Sequence, residues 1–437
     1  MNPPDSEVSI PGLDREKLER IIRVPPLVGG RYEHWDKVRH LTPPDGLTSE
    51  EWWLGIRLAR QPLLKPVPLL DKKGHPFVFG TPDPILRVLH EIDQLASGRI
   101  EMSEEVTNPS TRDRYVISSL IEESITSSQL EGASTTVEVA KNMLRTGRRP
   151  TDRSEQMIVN NFLAMQFVRQ HVQGPLSPGF IHELHRMLTD DTLDDPGKAG
   201  CFREDDDQIR IEDESGTVLH VPPRATELPE RLERLCSFAN NRPADTFLHP
   251  VVRAVILHFQ LGFDHPFVDG NGRTARALFY WSMLSQGYWL AEYLSISSIL
   301  KNAPSQYARS FLHTETDGND LTYFLDYQLS VIRRSIDDLQ TYLAKKIKEV
   351  ARVESLLKRS TEFNHRQLAV LGHALRHPGA RYTIKSHQRS HRVVYDTART
   401  DLLDLAEKAL LHQRKRGNTY EFIAPADLHD RLQRGVG

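Results

Sequence analysis

A chain of 437 residues with 38% hydrophobic and 26% charged side chains has room for two or three modules and can bury real cores. Its net charge of -3 argues against binding nucleic acid through overall charge, and no apolar run approaches the roughly 18–20 residues of a bilayer span. Two cysteines, Cys201 and Cys236, exclude a disulfide framework and a tetrahedral cysteine metal site. With no basic-then-apolar leader at the N-terminus, a soluble cytoplasmic protein is expected.

Residues 1–85 are dense in proline and tryptophan, among them Pro25-Pro26, Trp35, Pro43-Pro44, Trp52-Trp53, Pro62, Pro66 and Pro68. Prolines at that density interrupt regular elements, so short helices and loops packed on a neighbouring core are expected. Pro82-Asp83-Pro84 then opens a helical segment running to Asp93. From about 112 to 345 the periodicity is mostly helical, with helices expected at 113–131, 135–146, 153–172, 177–188, 227–241, 250–263, 272–286 and 320–350. Val251 to Phe259 is apolar nearly all round, the mark of a helix at the centre of a bundle. One interruption stands apart. Gln208-Ile209-Arg210-Ile211 and Val218-Leu219-His220-Val221 alternate in polarity around a polar turn with Gly216, which predicts a β-hairpin.

The pattern changes again over 360–437. A helix is expected at 364–376, a strand at Tyr382-Thr383-Ile384, helices at 385–391 and 395–408, and a last hairpin turning at Gly417-Asn418. That order is a winged helix-turn-helix. The fold class expected is therefore mainly α: a helical bundle with a β-hairpin, followed by a C-terminal winged helix-turn-helix.

The stretch from His265 through Pro266, Phe267, Val268, Asp269, Gly270, Asn271, Gly272, Arg273, Thr274 and Ala275 to Arg276 lies between two apolar helices and carries the chemistry. Pro266 keeps His265 out of helical geometry. Gly270 and Gly272 let the backbone turn tightly and bring amides to a ligand at a helix N-terminus, a place suited to a polyphosphate. Asp269 is a hard oxygen ligand suited to Mg²⁺ bridging phosphates. Arg273 and Arg276 are three apart, so both guanidinium groups can face one anion. His265 is the side chain here that takes a proton near neutral pH, which suits a general base.

These twelve residues resemble, without a departure, the HPFxxGNGRxxR signature of Fic-domain proteins. The resemblance extends over about residues 112–335. It takes in Gly200-Cys201-Phe202-Arg203, Val221-Pro222-Pro223 and Asp320-Leu321-Thr322, and implies a Fic-type helical core over 86–350. It also implies transfer of AMP from ATP to a Ser, Thr or Tyr hydroxyl of a protein, itself included. His265 would then be the base and Asp269 the Mg²⁺ ligand. Gly270, Asn271, Gly272, Arg273, Thr274 and Arg276 would bind the nucleotide phosphates, and Tyr307 the base, although Ala308 replaces the second tyrosine of the family's frequent pair. The hairpin, with Gln208, Ile209, Arg210 and Ile211 on its first strand, resembles the flap that aligns a target by strand addition. Its acidic tip reads as a solvated turn.

Upstream, Ser127 and Glu131 share a helix face over 113–131, and Gly132 suits its C-cap. Within a chain carrying the motif, Ser127-Ser128-Gln129-Leu130-Glu131-Gly132 resembles an inhibitory helix. Glu131 would take the γ-phosphate's place on Arg276, and in some relatives it also serves removal of AMP. The resemblance further suggests a homodimer that controls this helix. Lys and Arg outnumber Asp and Glu roughly two to one over 360–425. Tyr395, Thr397, Arg399 and Thr400 are candidates for a DNA groove, and Arg414-Lys415-Arg416 for phosphate. A DNA-binding regulator that senses nucleotide is the alternative function, and the same fold also serves dimerisation.

Overall fold

The computed structural model describes residues 3–4, 15–96, 109–212, 215–241, 247–359, 362–377, 379–416, 419–425 and 427–435. The chain is mainly helical and divides into two compact units, Met1–Gly98 with Ser119–Ile336, and Arg99–Ser118 with Asp337–Gly437.

In the first unit the N-terminal residues form no separate domain. Helices α1 (Arg15–Ile22), α2 (Trp35–Val38) and α3 (Ser49–Arg60) gather Ile21, Trp35, Val38, Trp52, Trp53 and Ile56 into one apolar cluster. Thr48 and Glu51 close a capping box that starts α3, satisfying two amides that would otherwise lack partners. A hairpin follows that the proline density had hidden: β1 (Lys65–Leu70) pairs antiparallel with β2 (Pro76–Phe79). Pro66 and Pro68 fall at alternate, exposed positions while Val67 and Leu69 point inward. A two-stranded sheet thus tolerates prolines that a central strand would reject. Val78 exchanges backbone bonds with Asn319 and Leu321, tying β2 to the loop ahead of the last long helix.

Helices α4 (Asp83–Ala96), α5 (Pro109–Leu130), α6 (Val137–Thr146), α7 (Arg153–Gln170) and α8 (Pro178–Thr189) lead to a short hairpin, β3 (Ile211–Glu212) with β4 (Val218–His220). The pairing is Ile211 with His220 and Glu212 with Val218, shorter than expected. Gln208 caps a 3-10 turn in left-handed geometry (φ 48°), so Gln208, Ile209 and Arg210 precede the strand instead of forming it. Asp213 and Glu214, the acidic tip, lie outside the described residues.

Next come α9 (Leu228–Ala239), α10 (Pro250–Asp264), α11 (Asn271–Ser285), α12 (Ile296–Asn302), α13 (Pro304–Thr316) and α14 (Thr322–Arg359). Helix α10 starts on Pro250, with His249 capping Val251. It carries the β-branched residues Val251, Val252, Val255 and Ile256, weak helix formers, but all four are buried and packing outweighs propensity. Helices α12 and α13 were not expected from the sequence. The fully buried positions of α13 are Ser310 and Thr314, so its inward stripe is polar and gives no amphipathic signal.

In the second unit α15 (His365–Arg376), β5 (Arg381–Thr383), α16 (Ile384–His391), α17 (Tyr395–Glu407), β6 (His412–Arg416), β7 (Thr419–Ile423) and α18 (Leu428–Gly435) follow in order, with an antiparallel sheet arranged β5-β7-β6. Leu371, Ala398, Leu402, Leu405 and Phe422 form its core. Gly417 and Asn418, the expected turn, lie outside the described residues.

Candidate functional site

The loop between α10 and α11 is fixed before any ligand is considered. His265 ends α10 in left-handed geometry (φ 45°, ψ 59°), as the proline after it disfavours a further helical turn. Its carbonyl accepts from Arg203 Nε at 2.8 Å, and Arg203 Nη2 also donates to the Pro223 carbonyl at 2.5 Å. The imidazole Nδ1 stands 3.1 Å from the Gly262 carbonyl. A carbonyl only accepts, so Nδ1 carries the proton and Nε2 is left basic. Burial pushes the His265 pKa down to about 4, and the ring is neutral near pH 7.

Phe267 is fully buried and stacks on His185 with ring centroids 3.7 Å apart. His185 Nε2 donates to the Asp269 carbonyl at 2.8 Å, while its Nδ1 accepts from the Gly200 amide at 2.9 Å. Burial lowers its pKa to about 4, which keeps the single proton this pair of bonds needs. Asn271 spends its amide on the loop, with Oδ1 accepting from Phe267 N and Nδ2 donating to Phe267 O. Thr274 Oγ1 donates to the Gly270 carbonyl at 2.9 Å. Asn271 and Thr274 side chains thus hold the turn and do not face a ligand. Gly270 has φ 78°, and a Cβ there would meet Thr189 Cγ2 at 2.8 Å; only glycine fits.

Gly272, Arg273 and Arg276 line the start of α11. Both arginines are 1% exposed. Arg273 Nη1 donates to the Leu188 carbonyl, yet its Nε and Nη2, and Arg276 Nη1, find no hydrogen-bond partner among the described residues. Three buried N–H groups left open beside one helix start are rare, and a polyanion with several oxygens would satisfy them. On the other side Arg276 is held by α5: Nε donates to Ser127 Oγ (2.9 Å), and Nη2 to Ser127 O (3.0 Å) and Glu131 Oε1 (2.9 Å). The Glu131 carboxylate lies so close to α11 that a Cβ on Gly272 would sit 2.2 Å from Oε1. Gly132 (φ 93°) follows the end of α5.

Asp269 Oδ1 accepts from the Gly270 amide, and Oδ2 is 3.6 Å from both Arg153 and Arg273. Its side chain is 41% exposed, and no group of three or more His, Cys, Asp or Glu able to hold a metal occurs among the described residues. A cation here fits only as a hard ion taking most of its ligands from phosphate and water, which suits Mg²⁺. Tyr307 places its hydroxyl 2.7 Å from His258 Nε2. The β3–β4 hairpin is anchored by His220, with Nε2 to the Phe263 carbonyl and Nδ1 to Glu315, each 2.8 Å. His185 and Arg203 were not singled out from sequence; Arg203 lay inside the Gly200–Arg203 stretch of the resemblance, and His185 carried no signal of its own.

The Fic/DOC family profile matches residues 175–283. Protein adenylyltransferase Fic of Drosophila sechellia and that of Drosophila melanogaster are each 31% identical to this chain over 165 residues, 36% of it and 31% of each relative. The chain thus spans about a third of the length of the curated relatives it matches. A Fic family protein from Desulfovibrio desulfuricans G20 shares the fold, covering 79% of this chain and 97% of its own at TM-score 0.51 and 20% identity.

Proposed function

This chain is a Fic-domain protein, with the family match at residues 175–283, and on that premise we propose that it is a self-inhibited protein adenylyltransferase. ATP is the substrate that supplies AMP, and a protein Ser, Thr or Tyr hydroxyl receives it. The observation that carries this reading is the Glu131 carboxylate, bonded to Arg276 and lying over Gly272 beside three open guanidinium N–H groups. An acid occupying an anion nest reads as a stand-in for phosphate.

In the reaction His265 Nε2 accepts the proton of the target hydroxyl, whose oxygen attacks the α-phosphorus. The new P–O bond forms as the bond to the β-phosphate breaks, and pyrophosphate leaves. Arg273 and Arg276 hold the phosphates, the amides of Asn271 and Gly272 face the growing negative charge, and Gly270 shapes the turn with its amide given to Asp269 Oδ1. Asp269 would hold Mg²⁺, which supplies charge neutralisation between phosphate oxygens when bound. Arg203 and His185 keep the loop in register. With Glu131 on Arg276 the γ-phosphate has no seat, so the resting enzyme is slow. The same carboxylate supports a reverse reaction, in which it orients water for removal of AMP from a modified target.

Labelling with α-labelled and γ-labelled ATP tests this. Glu131→Gly should retain label from the α position only and exceed wild type by at least about tenfold, the size of one charge-assisted contact. His265→Ala in the same background should retain none. Equal incorporation by wild type and Glu131→Gly would falsify the brake.

A second reading concerns the C-terminal unit, which we read as a winged helix. Lys385, Arg389, Arg392, Arg399, Arg414 and Lys415 are exposed there, with no ion pair among the described residues, beside exposed Val394 and Tyr395. This favours duplex DNA as a partner, α17 entering a groove and the β6–β7 hairpin meeting phosphate. A gel shift with random duplex that weakens steeply with salt supports it, and no shift at low salt refutes it.

A further inference from the structure

The N-terminal hairpin β1–β2 is joined to both halves of the reactive centre. Arg231, on α9, is 9% exposed, and its Nε donates to Asp264 Oδ1 at 2.7 Å. The same guanidinium gives Nη2 to the Leu70 carbonyl at 2.5 Å and Nη1 to the Asp71 carbonyl at 3.2 Å. Asp264 immediately precedes His265. One buried guanidinium therefore separates the start of the β1–β2 turn from the residue next to the base. Beyond that turn's start, Lys72 Nζ donates to the Val221 carbonyl at 3.4 Å, just past the flap strand β4. Asp71 stiffens the turn, accepting from the Lys73 and His75 amides at 2.8 Å each and from Asn319 Nδ2 at 3.0 Å. The turn is thus a fixed rim between flap and catalytic loop.

What the rim presents is cationic. Lys72, Lys73 and His75 are exposed, and Arg224, three residues past Val221, is exposed as well. Lys72, Lys73 and Arg224 form no ion pair among the described residues. Of the acids nearby, Glu227 pairs with Arg231, Glu204 and Asp207 with Lys198 and Glu315 with His220, and Asp205 accepts from the Ala225 amide, while Asp206, ahead of β3, and Glu212, on it, stay exposed. Val218 on β4 and Val221 just past it are 42% and 46% exposed, Val221 being the residue whose carbonyl meets Lys72. Open cations beside an apolar strand edge suit an extended segment with apolar residues at the flap and carboxylates next to them.

We infer that the β1–β2 turn is part of the target-docking surface and selects protein segments carrying acidic residues beside the modified hydroxyl. This rests on the transferase reading above, and names the target chemistry which that reading leaves open. The flap supplies backbone pairing, which is indifferent to sequence; the rim of Lys72, Lys73 and Arg224 supplies the selection.

The test uses the full chain carrying Glu131→Gly and two fluorescent peptides with one Ser-Thr-Tyr centre, flanked in one by Asp and Glu and in the other by Lys and Arg. Fluorescence anisotropy should show the acidic peptide binding about tenfold more tightly, with the preference shrinking at high salt. Adding Lys72→Glu and Lys73→Glu should abolish or invert the preference, with circular dichroism checking that the fold is kept. Equal binding of the two peptides overturns the inference, and so does a preference that survives the double substitution. Self-labelling from α-labelled ATP by Glu131→Gly, run alongside, reads the transferase proposal separately: label without peptide preference removes only the rim, whereas no label removes the transferase reading.

Discussion

Gly272 accommodates a carboxylate because it has no Cβ to collide with Glu131 Oε1. An alanine here strains no backbone angle, as Gly272 lies in α11 and has no positive φ. Gly272→Ala should therefore fold, expel Glu131, and also crowd the phosphate that replaces it. Isothermal titration of ATP is expected to give Glu131→Gly/Gly272→Ala about tenfold weaker affinity than Glu131→Gly alone, the cost of one methyl group forced into a filled site. His265 has its own signature. Its pKa is depressed to about 4, burial being the main cause, and the Glu131 charge is one of the influences that raise it. On the transferase proposal the neutral ring takes the proton, so kcat/KM should hold down to about pH 5 and fall only below it, not near the ordinary histidine value of about 6.5. Glu131→Gly should move that limb lower still. A limb at the ordinary value would place the reactive histidine elsewhere.

At the level of elements, α5 and α11 meet through one arginine with two kinds of partner. Ser127 offers a hydroxyl and a carbonyl, Glu131 a charge. Ser127→Ala removes one hydroxyl acceptor of the guanidinium and leaves the Glu131 carboxylate, so on the proposed brake its activation should be smaller than that of Glu131→Gly, roughly fivefold, read from α-label incorporation. The C-terminal unit has a comparable joint. Asp401 on α17 is 4% exposed and accepts from Arg366 Nε and Nη2, from Asn364 Nδ2 and from His387 Nε2. It joins α15 and α16 to α17, and these partners hold its pKa near 2. Asp401→Ala leaves the half-buried Arg366 guanidinium and the buried His387 ring without their carboxylate, and should cost about 2 kcal/mol in the unfolding transition of that unit, seen by calorimetry on the full chain.

For the whole molecule, His34, His185, His258, His265 and His313 are all depressed by burial, to about 3, 4, 3, 4 and 4. An unfolded chain protonates each near pH 6.5 while the folded one resists, so the unfolded state gains protons as pH falls and stability declines through the window between about 6.5 and 4. Asp320, raised to about 6, and Glu123, Asp264 and Asp326, also raised by burial, act in the opposite sense and offset part of that decline. The melting temperature should drop by several degrees between about pH 7 and pH 5; a flat profile would show these rings to be solvated.

Much of this molecule is local and so could be read along the chain. The long amphipathic helices announce themselves by period. The turn from His265 to Arg276 is one stretch in which proline, glycines and arginines dictate backbone and charge together. Other features depend on chain segments far apart in sequence. Val67 and Leu69 make a strand of a proline-rich segment because a core lies beneath them; α13 stays hidden because its buried side chains are polar. Glu131 reaches Arg276 across 145 positions, His185 and Arg203 brace the loop from other elements, and Arg231 links a hairpin to Asp264, the residue before His265. Periodicity reports which face of an element is apolar, but only packing decides which distant group ends up within hydrogen-bond distance of an otherwise unpaired charge.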